Sequence, residues 1–219
     1  MTASPTQISY DNLNTAYDFF NGALFEGELP PCLITLQRKN KAYGYFAGER
    51  FATREGESVI DEIALNPSHF KDRTTEEILS TLAHEMVHLW QQHYGTPSRI
   101  GYHNKEWAFK MRSIGLIPSS TGEEGGKETG QSVSHYIADE GKFARSCAAL
   151  LADGFTLPYI EIQEQGETGK KKAASKTKYT CPSCNLNAWA KPDTRLKCAD
   201  CDILLEPEIK EPEAEAEAA

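Results

Sequence analysis

The chain has 219 residues, of which 39% are hydrophobic and 25% are charged. This length and composition exclude a chain that is disordered throughout, and they allow one substantial core with a small second module. The formal net charge of −9 is uneven: residues 170–201 carry +6 and residues 202–219 carry −6. We therefore expect any nucleic-acid contact to begin in the basic segment.

The first residues, MTASPTQISYDN, contain neither a basic region nor an apolar run of the kind found in secretory signals. No later apolar run is long enough to span a bilayer, so we expect a cytoplasmic protein without membrane contact. Four of the six cysteines form two CxxC pairs, whereas Cys32 and Cys147 stand alone in apolar surroundings. This usage favours metal ligation in a reducing compartment over disulfides.

The N-terminal part of the chain predicts one helix followed by three short strands. In LNTAYDFFNGALF, Leu13, Tyr17, Phe20 and Leu24 recur at helical spacing, and GELPP ends the helix. The stretches LITLQ, YGYFAGERF and VIDEIALN are typical of strands, and REGE is the expected hairpin turn between the last two.

A long amphipathic helix is predicted next. Thr74 and Glu77 match the capping box that closes a helix N-terminus, and Gly95 suits a left-handed C-terminal stop. Its apolar face is formed by Ile78, Leu79, Leu82, Ala83, Met86 and Val87.

The rest of the chain alternates polar and helical stretches. We expect a helix over 104–114, a flexible loop in STGEEGGKETGQ, and then a further helix and a short strand in EGKFARSCAALLADG and FTLPYIEIQ. The predicted organisation is a domain over 8–165, with a core at 8–117 and an extension at 118–165. A basic linker over 166–178, a cysteine module over 179–205 and an acidic disordered tail over 206–219 follow.

The predicted long helix contains HExxH, with His84, Glu85 and His88. Residues four apart lie on one helix face, so both imidazoles can reach one tetrahedral Zn²⁺, with Glu85 as general base for a zinc-bound water. The pattern can also arise by chance on a solvated helix face. Its neighbours Met86 and Val87 argue against this, because buried ionisable rings need a partner.

A catalytic zinc site needs a third protein ligand and an open fourth position. His93 points away from the face shared by His84 and His88, so we interpret it as a helix-end histidine. His103, after a loop with Gly and Pro, is the preferred third ligand, and Glu106 is the alternative. We expect His135 to be a surface residue, because a lone histidine needs no metal to explain it.

A second zinc site is predicted in the cysteine module. Cys181, Cys184, Cys198 and Cys201 form CxxC, thirteen intervening residues and CxxC, which is the arrangement of two knuckles that close a tetrahedral structural site. Asn185 and Asp202 follow the second cysteines and tolerate the left-handed backbone that such turns often need. A redox role is the alternative, although no thioredoxin-like context surrounds either pair.

The order LFEGELP, YGYF, EIALNP, HEMVHLWQQHYG and GYHNKEWAFKMRSIGL resembles the SprT-like zinc metallopeptidase domain, the family that includes Spartan-type proteases. The resemblance covers residues 8–117. It implies zinc on His84, His88 and His103, catalysis by Glu85, and a small sheet packed on the active-site helix. It also implies substrates that are proteins bound or crosslinked to DNA.

The fold class that follows is α+β, with a zincin-like domain and a C-terminal zinc ribbon. DNA is the expected partner of the basic ribbon region, where lysines and arginine can track phosphates and Trp189 can stack on bases. A solvated linker whose lysines keep the chain soluble is the alternative, and the acidic tail could compete with DNA for this surface. The candidate contacts are Lys171, Lys172, Lys176, Lys178, Trp189, Lys191, Arg195 and Lys197.

Two functions remain open at this point. The first is a zinc endopeptidase with two zinc ions, one catalytic and one structural, that binds its protein substrate along the strand YGYFAGERF. The second is a non-catalytic zinc protein that binds nucleic acid or associates with transcription. Glu85 distinguishes the two, because a purely structural site has no need of a carboxylate placed as a base.

Overall fold

The computed structural model describes residues 3–162 and 176–208. The chain divides into two units, Met1–Gln163 and Glu164–Ala219. Helices and short strands alternate in the first unit, and the second holds short strands around four cysteines, so the predicted α+β class is confirmed. Among the residues described, no helix is long and apolar enough to cross a membrane.

Helix α1 (Pro5–Phe25) begins earlier than its apolar spacing predicts. The Ser4 side chain accepts a hydrogen bond from the backbone N–H of Gln7, and Pro5 occupies the first turn, where its missing N–H costs nothing. The predicted helix start at Leu13 was therefore too late, because it rested on apolar residues and not on the cap. The helix buries Leu13, Ala16, Tyr17, Phe20, Leu24 and Phe25.

Strands β1 (Leu33–Leu36), β2 (Gly44–Ala52) and β3 (Val59–Leu65) form one sheet in the order β1-β3-β2. The strand β1 is parallel to β3, and β2 is antiparallel to it. The predicted turn at REGE joins β2 to β3. Because β3 is central, β2 is an edge strand of this sheet.

A bulge interrupts the pairing of β2 with β3 between Ala47 and Phe51. Within it Glu49 has a left-handed φ of 52°, and its N–H donates to the Asp61 carboxylate at 2.7 Å. The other Asp61 oxygen lies 2.6 Å from His93 Nε2. One buried carboxylate therefore joins the bulge to the helix that carries His93.

Helix α2 (Thr75–Tyr94) is capped at its start as predicted. The Thr74 hydroxyl accepts from the Glu77 N–H at 3.2 Å, and the Glu77 carboxylate accepts from the Thr74 N–H at 2.7 Å. Gly95 ends the helix, but the predicted left-handed conformation is wrong, since its φ is −127°. A Cβ there would lie 2.5 Å from the Glu106 carboxylate, so a larger residue would displace that side chain.

The elements after α2 surround its C-terminal half. They are β4 (Tyr102–His103), α3 (Lys105–Ser113), β5 (Leu116–Ser119), β6 (Gly130–Gln131), β7 (Ser134–Ile137) and α4 (Lys142–Ala152). Strand β4 pairs with β6 and β5 pairs with β7, so the end of the predicted flexible loop is in fact a strand. The short strand predicted in FTLPYIEIQ is not formed over residues 155–162.

The second unit is a small sheet of β8 (Thr177–Thr180), β9 (Asn187–Ala190) and β10 (Glu206–Pro207), in the order β10-β8-β9. Two predicted boundaries need correction. Thr177 and Lys178 belong to the sheet and not to the linker, and Glu206 and Pro207 belong to it and not to the tail. Tyr179, Cys181, Cys198 and Leu205 form its buried centre.

Gly44 lies where β2 comes closest to α2, and we expect its replacement by alanine to be destabilising. A Cβ there would lie 2.8 Å from the Ala64 carbonyl oxygen and 2.9 Å from Thr81 Cγ2. Gly44→Ala should cost about 1–3 kcal/mol, measured by chemical denaturation. Gly22→Ala is the matched control: nothing lies within 4 Å of its Cβ, and the change should stabilise α1 by about 0.5–1 kcal/mol. Equal midpoints for the two variants would contradict the close approach.

Candidate metal centre

Three histidines meet near the middle of α2. His84 and His88 lie one turn apart on this helix, and His103 ends β4. Ring nitrogens of the three lie within 4.8 Å of one another, and His88 Nε2 is 3.1 Å from His103 Nε2. Two ring nitrogens this close share either a proton or a metal ion.

His103 is brought to α2 by a turn and a strand pair. Gly101 has a φ of +71°, a conformation that favours glycine, and His103 then pairs with Gly130 in β6. The Gly130 carbonyl also lies 3.4 Å from His103 Nδ1. The loop before β6 thus helps to orient the ring, although its composition suggested only a flexible connection.

The two competing ligand candidates lie elsewhere. Glu106 accepts hydrogen bonds from the Gln91 side chain and the Thr96 N–H, both at 2.7 Å, and so holds the turn after α2. His93 contacts Asp61 and not the histidine cluster. Of the residues considered for the third position, the structure brings only His103 together with His84 and His88.

The histidine cluster is shielded from solvent. His84 is 9% exposed and His103 7%, and the fully buried Trp107 packs against all three rings at centroid distances of 4.9, 5.3 and 4.2 Å. Burial lowers the pKa of His84 well below its ordinary value and that of His88 to about 3, and it also lowers the pKa of His103. Neutral imidazoles keep the lone pairs that a metal requires, so this donor set fits zinc.

Glu85 follows His84 on α2 and, like it, is buried. Burial raises the pKa of its carboxyl to about 8, while nearby Lys39 and a hydrogen bond from the Phe46 N–H act in the opposite direction. The Phe46 ring stacks on His88 with a centroid distance of 6.4 Å. Edge strand β2 therefore runs directly alongside the carboxylate and the histidines.

A fourth histidine, His135 on β7, also reaches the cluster. Its Nδ1 lies 3.1 Å from His84 Nδ1, and its Nε2 lies 2.9 Å from the buried Ser80 hydroxyl. Burial lowers the pKa of His135 to about 4. The expectation of a surface residue was wrong, because the chain brings His135 back to α2 across 51 positions and no local pattern signals such a contact.

In the second unit, the four cysteines converge as their spacing predicts. Their sulfur atoms lie within 4.8 Å of one another, and those of Cys184 and Cys198 are 3.6 Å apart. The two knuckles are alike: the Asn185 N–H donates to the Cys181 carbonyl and the Asp202 N–H to the Cys198 carbonyl, each at 3.0 Å.

The residues that close these knuckles have the left-handed backbone expected of them, since Asn185 has a φ of 59° and Asp202 of 58°. Hydrogen bonds from the backbone of the first knuckle, that of Cys184 above all, lower the pKa of Cys181. The fit to zinc comes from geometry, because four converging thiol sulfurs form the tetrahedral donor set of a structural zinc site.

The candidate DNA-contacting residues are spread around the second unit. Trp189 on β9 is 61% exposed and lies opposite Lys178 on β8. Two of the lysines pair with acids, Lys178 with Glu208 at 4.0 Å and Lys197 with Asp202. Lys176, Lys191 and Arg195 are exposed, whereas Lys171 and Lys172 lie outside the described residues.

Comparison with known proteins identifies relatives of this chain. The model of the SprT-like family matches residues 13–125, which include Glu85 and the three clustered histidines. A Salmonella typhimurium protein named "Uncharacterized protein in mucB 3'region" is 58% identical over 59 residues, which are 27% of this chain and 80% of that protein. No solved structure matches the chain.

The third ligand is the most direct test of this site. His103→Ala should lower the zinc content of the purified chain from about two to about one per molecule, because two imidazoles alone bind zinc weakly and the four cysteines are untouched. Elemental analysis measures this directly. Glu106→Gln is the control and should retain both ions. Two zinc ions in His103→Ala would show that another side chain completes the site.

Proposed function

The chain belongs to the SprT-like family, and on that premise we propose that it is a zinc-dependent endopeptidase with a zincin-like active site. The observation that carries the proposal is a buried carboxylate, Glu85, next to three neutral histidines on and around one helix. Histidines alone would serve a structural ion equally well. The adjacent carboxylate, in contrast, is explained by hydrolysis, in which it can act as the general base.

His84, His88 and His103 would hold the catalytic ion, and three protein ligands leave a fourth position open. Zinc bound there would polarise the peptide carbonyl and lower the pKa of water towards about 7. Trp107 and the apolar face of α2 cover one side of the site, which keeps bulk water away from the charged groups.

Glu85 is the proposed general base. Its carboxylate would take a proton from the attacking water and pass it to the leaving amine. The Phe46 N–H orients this carboxylate. Because Gly44 has no side chain, β2 can lie close to Glu85; a Cβ at Gly44 would be only 3.3 Å from a carboxylate oxygen.

The proposed substrate site is the edge strand β2. An extended peptide can add to a sheet edge through backbone hydrogen bonds, which recognise the main chain more than the side chains. Within the described residues, β2 pairs only with β3. The edge of β2 next to Glu85 and His88 is therefore the proposed position of the scissile bond, and we expect little sequence specificity.

Glu85→Gln tests the mechanism. The amide keeps the size of the side chain but cannot accept the proton, so cleavage of an unfolded protein substrate should fall by at least about a hundredfold while both zinc ions remain bound. Cleavage is followed by gel electrophoresis and zinc by elemental analysis. Glu55→Gln, an exposed residue of the β2–β3 turn, should behave as wild type. Undiminished cleavage by Glu85→Gln would refute a general-base role.

We further propose that the substrates are DNA-associated or DNA-crosslinked proteins and that the ribbon binds the DNA. Exposed Trp189 beside Lys178 offers a stacking surface next to a phosphate contact. The pairs of Lys178 with Glu208 and of Lys197 with Asp202 support a further idea, that acidic residues compete with DNA for these lysines.

Truncation after Glu208 tests the competition without disturbing β10. Residues 209–219 carry four Glu and one Lys, so their removal should tighten binding to single-stranded DNA roughly three- to tenfold at low salt and much less at high salt. Fluorescence anisotropy with a labelled oligonucleotide measures this. The matched control retains the length of the tail with its four glutamates replaced by glutamine. Unchanged affinity for single-stranded DNA in both variants would show that the tail does not compete with DNA.

A non-catalytic, nucleic-acid-binding or transcription-associated protein is the alternative function, and the cysteine module favours it. The two proposals assign different roles to the histidine site, which is catalytic in the first and structural in the second. If the chain with two bound zinc ions cleaves no protein, with or without DNA, the alternative stands and Glu85 has a structural role only.

A further inference from the structure

We propose that His135 is a positioning residue that sets the tautomer and the orientation of His84, so that His84 Nε2 faces the metal. This inference rests on the proposed function only in requiring a metal ion on the histidine cluster. His135 lies beyond the family match at residues 13–125, on a strand that pairs with β5 through Pro118 and His135.

His135 connects two side chains on successive turns of α2. Its Nδ1 lies 3.1 Å from His84 Nδ1, and its Nε2 lies 2.9 Å from Ser80 Oγ. The Ser80 hydroxyl in turn donates to the Glu77 carbonyl at 2.9 Å. Ser80 and His84 are four residues apart, so they share the helix face against which the His135 ring packs.

The proton positions in this series of hydrogen bonds follow from the Ser80 hydroxyl at its end. Since the Ser80 proton is directed to a carbonyl, Ser80 Oγ must accept from His135 Nε2–H. A neutral His135 then has no proton on Nδ1, which must accept from His84 Nδ1–H. The remaining nitrogen of His84, Nε2, carries the lone pair that can bind a metal.

The same hydrogen bonds argue against His135 as a fourth metal ligand. A neutral imidazole has one nitrogen lone pair, and that of His135 is occupied by the His84 N–H. Its other nitrogen donates to Ser80. The fourth position of a metal held by His84, His88 and His103 would therefore remain available for water or substrate, which catalysis requires and a four-histidine site would prevent.

The test compares His135→Asn with His135→Leu in the full chain. The asparagine Oδ1 can replace Nδ1 as the acceptor for His84, whereas leucine fills the space and accepts nothing. Competition with a chromophoric chelator gives the dissociation constant of the histidine-bound zinc. X-ray absorption at the zinc edge counts the imidazoles on that zinc, provided that the four cysteines carry cadmium in its place. His93→Gln, which alters a histidine paired with Asp61, is the control.

We expect His135→Leu to weaken zinc binding by about 10–100-fold, His135→Asn to stay within about threefold of wild type, and the control to be unchanged. X-ray absorption should count three imidazoles. Equal zinc affinity in His135→Leu and wild type, or equal losses in the leucine and asparagine variants, would overturn the positioning role. Four imidazoles would overturn it in favour of a fourth ligand.

Two further results separate this inference from the proposed function. Absence of zinc from the histidines of the wild type would overturn both this inference and the proposed function, whereas zinc binding without any proteolysis would overturn the proposed function alone. If His135→Leu does not fold, Ser80→Ala replaces it: loss of the hydroxyl frees the tautomer of His135 and should weaken zinc binding by roughly three- to tenfold. An unchanged dissociation constant in Ser80→Ala would then overturn the inference.

Discussion

The buried imidazoles of the first unit face one another at hydrogen-bonding distance, so two neighbouring rings cannot both be charged, and this constraint governs the first unit. A charged ring in the cluster would be repelled by its neighbours and would lack solvation. Helix α2 supplies His84 and His88, and two separate strand pairs bring His103 and His135 to them. The elements around α2 therefore share one consequence, a largely buried group of imidazole nitrogens on and around the helix that carries Glu85.

The edge of the sheet and the helix are coupled through small contacts. Gly44 lets β2 approach α2, the Phe46 N–H bonds to Glu85, and the Phe46 ring stacks on His88. In the same sheet, Asp61 of β3 joins the bulge within β2 to His93 on α2. Two sets of contacts therefore tie the edge strand β2 to α2.

Features encoded by neighbouring residues could be predicted from the sequence. The capping box at Thr74, the HExxH face, and the two cysteine knuckles with Asn185 and Asp202 each depend on spacings of a few residues. The conformation of Gly95 and the location of His135 could not be predicted, because both depend on distant partners, Glu106 and His84. The sequence favoured His103 over Glu106 as the third ligand only through the type of side chain. Their different positions, His103 at the histidine cluster and Glu106 at the turn after α2, depend on the three-dimensional packing.

The central claim is an open metal site formed by three histidines beside Glu85. A crystal structure of the zinc-loaded chain, with anomalous differences measured on both sides of the zinc absorption edge, tests it most directly. The account predicts one zinc on the four cysteines and one on Nε2 of His84, His88 and His103, with a non-protein ligand in the fourth position. A histidine-site zinc bound by His135 or Glu106, or no zinc at the histidines, would contradict it.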